Sequence, residues 1–368
     1  MKINEKAIYF PGLNGLRAIA AIAVVISHTT IALSTFNVPH NIFVSDHTMS
    51  KGLSLAAYGV TIFFVLSGFL ITYLLQVEKE TQPIAIKKFY LRRILRIWPL
   101  YYIYLVLCVT TILVFGLDLN ISSLFFYIFY AANVPFILGT TLPFLAHYWS
   151  LGVEEQFYLF WPWLIKKIKY LELTIFSLIV ILIGTKLILH FSSPDSLIEL
   201  AVRVTNFHCM MIGGLGAILY MKKHKLFMKL TNNKLSQAFC WIVMFFLAIN
   251  KFHLISAIDG ELIAIVALIL MIGQIEIKNR IVNLDNGLFN FLGKISYGIY
   301  VIHPLLIYLL SKILYPVNIG SNYKCVLIYI TITGTTILLA YLSYTYIEKY
   351  FLKFKSRYTV VKSSATKL

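Results

Sequence analysis

Two ionisable residues, Arg17 and His28, lie in the first long apolar stretch of the chain, residues 12–34. Eleven positions separate them, so on an α-helix they return to within about 20° of the same face, about 16 Å apart along the axis. Ionisable groups inside a membrane are costly and usually functional. The pair indicates a polar path through the protein interior. The alternative is an arginine near the lipid headgroups and a histidine hydrogen-bonded to a neighbouring helix.

Three arginines, Arg92, Arg93 and Arg96, form the sequence RRILR just before the third apolar stretch. On a helix, residues three and four positions apart are neighbours, so the guanidinium groups would lie on adjoining faces. The planar guanidinium binds phosphate oxygens in pairs, which favours recognition of a phosphate-bearing ligand. The alternative is an anchor that contacts anionic lipid headgroups.

A carboxylate, Glu154, lies about 9 Å inside the fourth predicted span, residues 148–165. Its neighbour Glu155 faces about 100° away around the helix. Glu154 and His28 have matching depths in the outer half of the membrane, and a histidine oriented by a carboxylate is a standard general base. The alternative is a structural ion pair between two spans, and spacing alone does not show that the two residues meet.

Ser296, Tyr300 and His303 fall at positions i, i+4 and i+7 and therefore share one helix face. Pro304 frees a backbone carbonyl one turn earlier. This face is predicted to line a cavity, with hydrogen bonds between helices as the alternative.

Small residues mark two further places. Ser67 and Gly68 in the second span permit close helix approach, and Ser67 is a further candidate for the cavity lining. Gly12 and Gly15 suit a tight entry into the first span.

The composition is that of a polytopic membrane protein. The 368 residues are 59% hydrophobic and only 13% charged, against about 45–50% and about 25% in soluble domains. The net charge of +17 is explained by basic loops on one membrane face, so we expect no nucleic-acid partner. No metal-ligand spacing occurs, so we expect no metal site. We interpret the single cysteines as small core residues: Cys108, Cys209, Cys240 and Cys325.

Apolar runs and basic loops predict an all-α fold of about ten transmembrane helices with both termini cytoplasmic. Residues 121–138 are predicted to be re-entrant or interfacial, because a further crossing would turn later basic clusters outward. We divide the chain into a transmembrane domain, residues 1–354, and a basic cytoplasmic tail, residues 355–368. The ten spans are predicted at 12–34, 53–76, 97–117, 148–165, 171–191, 204–221, 236–253, 260–275, 289–315 and 323–347.

Five motifs in order resemble the membrane-bound acyltransferase 3 family of bacterial sugar O-acyltransferases over about residues 9–350. They are LNGLRAIAAIAVVISH, FFVLSGFLIT, FYLRRILRIWPLYY, HYWSLGVEEQFY and KISYGIYVIHPLL. The resemblance implies transfer of an acyl group, usually acetyl from acetyl-CoA at the cytoplasmic face, to a carbohydrate hydroxyl. It also implies a multi-pass protein of the bacterial cytoplasmic membrane. Residues that match the family's motifs are Arg17, His28, Arg92, Arg93, Arg96 and Glu154.

Our hypothesis from the residues and the resemblance makes His28 the general base, oriented or charge-balanced by Glu154. Arg17 and the RRILR arginines would hold the donor. Acyl-CoA is expected as a substrate and no cofactor as permanently bound. A covalent acyl-enzyme and direct transfer both remain open.

Some family members carry a C-terminal hydrolase-like domain. This chain shows none, so the expected acceptor is a lipid-linked or surface glycan such as O-antigen. The expected partners are the acyl-CoA donor, this carbohydrate acceptor and membrane lipids. The alternative function is a transporter or flippase of an anionic lipid-linked sugar, which would use the same arginines as a phosphate track.

Overall fold

The computed structural model describes residues 8–38, 55–255, 257–359 and 361. This part of the chain is a helical body without strands, as the composition predicts. A π-helical turn, Tyr344–Glu348, joins the last two helices. The α-helices are α1 (Leu13–Ile31), α2 (Leu55–Thr81), α3 (Ile86–Val114), α4 (Ile121–Ile128), α5 (Asn133–Ile137), α6 (Tyr148–Lys167), α7 (Leu171–Ser192), α8 (Leu197–Thr205), α9 (Phe207–Met221), α10 (Lys225–Thr231), α11 (Lys234–Ala248), α12 (Asp259–Ile275), α13 (Gly287–Lys294), α14 (Ser296–Leu314), α15 (Ser321–Ser343) and α16 (Lys349–Lys355).

Seven helical stretches in the described residues are long and apolar enough to cross a membrane. The other three predicted spans are the helices α6, α11 and α12, of 20, 15 and 17 residues. The protein is therefore a polytopic membrane protein, and its orientation stays a prediction. The seven stretches are Leu13–Ile31, Leu55–Thr81, Ile86–Val114, Leu171–Ser192, Leu197–Met221, Ser296–Leu314 and Ser321–Lys355.

The segment predicted to be re-entrant or interfacial, residues 121–138, forms the short helices α4 and α5, of 8 and 5 residues. An eight-residue helix rises only about 12 Å, far less than the hydrocarbon core of a bilayer. The backbone turns at Tyr130, whose φ is 56°. Asn133 at the start of α5 accepts a hydrogen bond of 2.8 Å from the side chain of Gln156 on α6. The segment packs beside α6.

Two predicted spans are broken in the structure. The span predicted at 204–221 is preceded by α8 and interrupted at Asn206, which has a left-handed φ of 44°. Asparagine tolerates this conformation better than most residues. The span predicted at 289–315 is divided at Ile295 into α13 and α14.

The basic connection before the third span is also helical. Helix α2 continues to Thr81 and α3 begins at Ile86, so the RRILR arginines lie inside α3. Arg92 contacts Glu78 of α2, and Arg93 lies over the Tyr158 ring of α6.

Helix α2 lies at the centre and packs along α9 over most of its length. A Cβ atom on Gly68 would lie 1.8 Å from the carbonyl oxygen of Met210, and one on Gly213 would lie 2.1 Å from that of Val65. Only glycine permits this backbone contact, so the close approach predicted at Gly68 is confirmed. Gly12 has a left-handed φ of 70°, and an added Cβ there would lie 2.3 Å from the side-chain oxygen of Gln274.

The predicted role of the four cysteines as small core residues is confirmed, because all four are buried and free.

Candidate active site

A cavity of about 480 Å³ opens between α1, α2, α3, α6, α13, α14 and α16. Along α2 it extends from Val60 to Leu74, which is about 21 Å of helix. Helices α1 and α2 run antiparallel, since Gly59 meets Ala20 while Phe69 meets Phe10. The two ends of the cavity therefore lie at different depths along the helix bundle.

One end, which we call the cationic end, carries five cationic side chains. Arg93 projects over the ring of Tyr158, with its guanidinium carbon 5.7 Å from the ring centroid. Its buried Nε atom has no hydrogen-bond partner among the described residues. The five cations come from α1, α3, α13 and α16: Arg17, Arg93, Arg96, Lys294 and Lys355.

Among the described residues, two carboxylates, Glu154 and Glu348, line the cavity beside these cations. Glu154 on α6 accepts short hydrogen bonds from the hydroxyls of Ser67 and Tyr158. Glu348 accepts a hydrogen bond of 3.4 Å from Ser343. With five cations against two anions, the cavity favours an anionic ligand.

At the rim, Tyr9 and Asn290 both donate hydrogen bonds to Asp285, the latter at 2.9 Å. Burial alone would raise the pKa of Asp285, but these hydrogen bonds and the charge of Arg280 hold the pKa below its usual value. Asp285 therefore stays ionised and fixes two lining residues in place.

The opposite end, the hydroxyl end, is formed by Ser150 and Tyr300. Their hydroxyl oxygens are 2.6 Å apart, and the Tyr300 hydroxyl also donates to the carbonyl oxygen of His147 at 2.9 Å. The Tyr300 ring lies 5.3 Å from the His147 ring and 6.2 Å from the His303 ring.

Beyond Tyr300 lies a histidine cluster of His28, His147 and His303. His28 Nδ1 is 2.8 Å from His303 Nε2, and the His147 and His303 ring centroids are 5.4 Å apart. His147 and His303 are buried, whereas His28 is partly exposed. No group of three or more potential ligands in the described residues is arranged to hold a metal ion.

The profile of the acyltransferase 3 family, described as an acyltransferase domain, matches residues 10–345. The chain belongs to the acyltransferase 3 family. It is 32% identical to the O-acetyltransferase OatA of Staphylococcus aureus strain NCTC 8325 over 205 residues, 51% of this chain and 31% of that protein. It is 28% identical to "Putative O-acetyltransferase SACOL0978" of S. aureus strain COL over 376 residues, 95% of this chain and 58% of that protein.

The chain thus spans less than two thirds of the length of either relative. No solved structure matches it.

In this acyltransferase 3 protein, most of the predicted site residues converge on one cavity. Of the two residues that predicted a polar path, Arg17 lines this cavity and His28 does not. The predicted residues that line the cavity are Arg17, Ser67, Arg93, Arg96, Glu154, Ser296 and Tyr300.

Three predictions need correction. Arg92 does not line the cavity, because its guanidinium donates to Glu78 at 3.2 Å and to the carbonyl oxygen of Tyr358 at 3.0 Å. His303 does not line it either, because Tyr300 lies between. The expected orientation of His28 by Glu154 is not found, since His28 contacts His303.

Sequence analysis missed several residues of the site. His147 precedes Glu154 by seven residues in a motif already singled out, so helical periodicity could have drawn attention to it. Tyr158 ends the same motif four residues after Glu154, and Lys294 begins the motif that contains Ser296, so both had a local signal. Glu348 and Lys355 had none.

Proposed function

We propose that this protein transfers an acyl group, acetyl by its family resemblance, from acyl-CoA to a carbohydrate hydroxyl. The observation that carries the proposal is the cavity that joins a cationic end to a hydroxyl end beside three histidines. The relatives' printed names, which describe O-acetyltransferases, support the acyl group and the oxygen acceptor.

The cationic end suits the phosphates of the donor. Arginine forks bind phosphate oxygens bidentately, and Arg17, Arg93 and Arg96 have no acidic hydrogen-bond partner among the described residues. Phe63 and Phe64 on α2 give the cavity an apolar lining, and the Phe63 ring lies 6.0 Å from the Tyr300 ring. This lining would accommodate the uncharged arm that carries the thioester towards the hydroxyl end.

The hydrogen bonds of the histidine cluster fix which ring nitrogens carry protons, and this proton arrangement supports His28 as the base. His303 Nδ1 lies 3.1 Å from the carbonyl oxygen of Ile299. Because a carbonyl only accepts, Nδ1 of His303 carries a proton, and in the neutral ring Nε2 is then an acceptor. His28 must donate from Nδ1, which leaves the lone pair of His28 Nε2 free to accept a proton.

In the proposed reaction, the Tyr300 side chain moves away from Ser150 and His147. The acyl end of the donor then approaches His28, which does not line the cavity in this structure. His28 Nε2 takes the proton of the acceptor hydroxyl, and the acceptor oxygen forms a bond to the acyl carbon. The carbon–sulfur bond breaks, and the departing CoA thiolate receives the proton from the His28 imidazolium. Glu154, held by Ser67 and Tyr158, would balance the charge of the cationic end.

The acceptor side of the proposal is a lipid-linked or surface glycan such as O-antigen, in the bacterial cytoplasmic membrane. The partial exposure of His28, in the half of α1 away from Arg17, supports approach of the acceptor from the side opposite the donor phosphates.

The test follows CoA release from acetyl-CoA by the purified protein in proteoliposomes that contain lipid-linked glycan from the host. We expect release by the wild type and a loss of about a hundredfold or more in His28→Ala, with donor binding retained. The matched control is His190→Ala, which removes a partly exposed histidine of α7 outside the cavity.

If the wild type releases no CoA but moves the lipid-linked sugar across the membrane, the flippase alternative replaces the enzyme. Equal loss of activity in His28→Ala and His190→Ala would contradict the role of His28.

A further inference from the structure

The last helix reaches into the cavity with one face. Tyr344, Glu348, Leu352 and Lys355 all line the cavity, and the last three follow the i, i+4, i+7 spacing of a single helix face. The π-helical turn Tyr344–Glu348 sets the orientation of α16, which packs against α3. Such turns are frequent at functional sites.

Lys355 is buried at this point, with only 4% of its surface exposed. No described residue accepts a hydrogen bond from its ammonium group or forms an ion pair with it. The charges that act on it most strongly are those of four arginines, led by Arg96 and Arg93. A buried ammonium among like charges is costly unless an anion compensates it.

No acidic residue in the described part of the chain pairs with Lys355. Glu348 is the carboxylate on the same face, and it accepts a hydrogen bond from Ser343. An anionic group of a bound ligand would supply this compensating charge. Arg93 and Arg96 on α3 line the same cavity as Lys355.

We propose that Lys355 binds a phosphate group of the acyl donor, together with Arg93 and Arg96, so that α16 forms one wall of the donor site. This inference rests on the proposed function and extends it to a residue beyond the family match, which ends at residue 345. A lysine ammonium is a common phosphate ligand. Lys355 thereby adds to donor affinity without touching the reacting atoms.

The test measures the binding of CoA and of acetyl-pantetheine, which lacks the phosphates, by calorimetry in detergent. Lys355→Met keeps the aliphatic stem and removes the charge. We expect it to weaken CoA binding about tenfold and to leave acetyl-pantetheine binding unchanged. Lys355→Arg should retain most of the CoA affinity.

The matched control is Lys353→Met, which removes the same charge from an exposed side chain of the same helix. It should bind both compounds as the wild type does. The melting temperature of each variant with and without CoA shows whether a loss of CoA binding comes from misfolding. If Lys355→Met does not fold, Lys355→Arg tests the site.

The outcomes separate the two proposals. If the wild type binds no CoA, the donor assignment fails and Lys355 with it. If the wild type binds CoA and Lys355→Met binds it equally well, or loses both compounds alike, only the assignment of Lys355 fails.

Discussion

Two groups of buried charges in this protein are built in opposite ways. In the first, on α7, α9 and α12, Lys186 Nζ and His208 Nε2 lie 2.7 and 2.8 Å from the same oxygen of Glu261. In the second, the cavity, five cations face two carboxylates. A charge that is paired inside the protein needs no ligand, whereas an excess of one sign favours binding an ion of the other.

The first group, which we call the paired triad, is buried. Lys186, His208 and Glu261 are 5%, 2% and 5% exposed, and none of them lines the cavity. The triad links three helices and has no access to a substrate. Its expected role is structural, although its residues are as polar as those of the cavity.

The largest expected effect on stability is that of Glu261→Gln. It leaves Lys186 and His208 buried without a counter-charge, which should cost about 3–5 kcal/mol of the free energy of unfolding. Unfolding in mixed detergent micelles measures the loss, and CoA release per folded molecule should stay unchanged.

The control is Glu172→Gln, which breaks an ion pair with Lys222 of the same 2.7 Å length but with side chains 36% and 64% exposed. Exposed pairs contribute about 0–1 kcal/mol. Similar losses in the two variants would show that the triad is no more structural than a surface pair.

The histidine cluster is a third case, polar but without an acidic hydrogen-bond partner among the described residues. His303→Leu removes the acceptor for His28 Nδ1 and should lower kcat by about tenfold or more, with the KM for the donor unchanged. His303→Gln presents an amide oxygen near the former Nε2 position and should restore part of kcat.

A purely structural role of His303 predicts otherwise. It would lower the melting temperature of both variants, and kcat per folded molecule would stay at the wild-type value. A lower kcat per folded molecule with an unchanged KM for the donor would therefore identify His303 as a positioning residue.

The sequence predicts which residues share a helix face better than it predicts which residues of other helices they contact. The spacing of Arg17 and His28 predicts that they share one side of α1, but α14 covers that side at His28. His28 therefore meets His303 there and does not reach the cavity. Depth in the membrane suggested a contact between His28 and Glu154, yet depth does not fix the angle around the bundle axis.

The ten predicted spans all form helices, since length and hydropathy suffice to recognise them. The breaks at Asn206 and Ile295 were missed, because a single residue between apolar runs changes hydropathy little. Lys355 was missed because a lysine after an apolar run is typical of a cytoplasmic end. Its burial depends on the packing of α16 against α3, which no local pattern contains.

The smallest expected effect on stability is that of Arg96→Met. This variant tests whether the cations of the cavity, unlike the paired triad, serve ligand binding. The variant should weaken CoA binding about tenfold, because one charged hydrogen-bond donor to phosphate is lost. Without donor its free energy of unfolding should stay within about 0.5 kcal/mol of the wild-type value or rise, since a charge leaves a cluster of like charges.

The control for Arg96→Met is Arg203→Met, which removes a side chain that is 53% exposed and paired with Glu199 at 3.4 Å outside the cavity. It should change neither CoA binding nor stability by a measurable amount. If Arg96→Met instead destabilised the donor-free protein as strongly as Glu261→Gln, the cavity cations would be structural. The excess of positive charge would then no longer distinguish a ligand site from the paired triad.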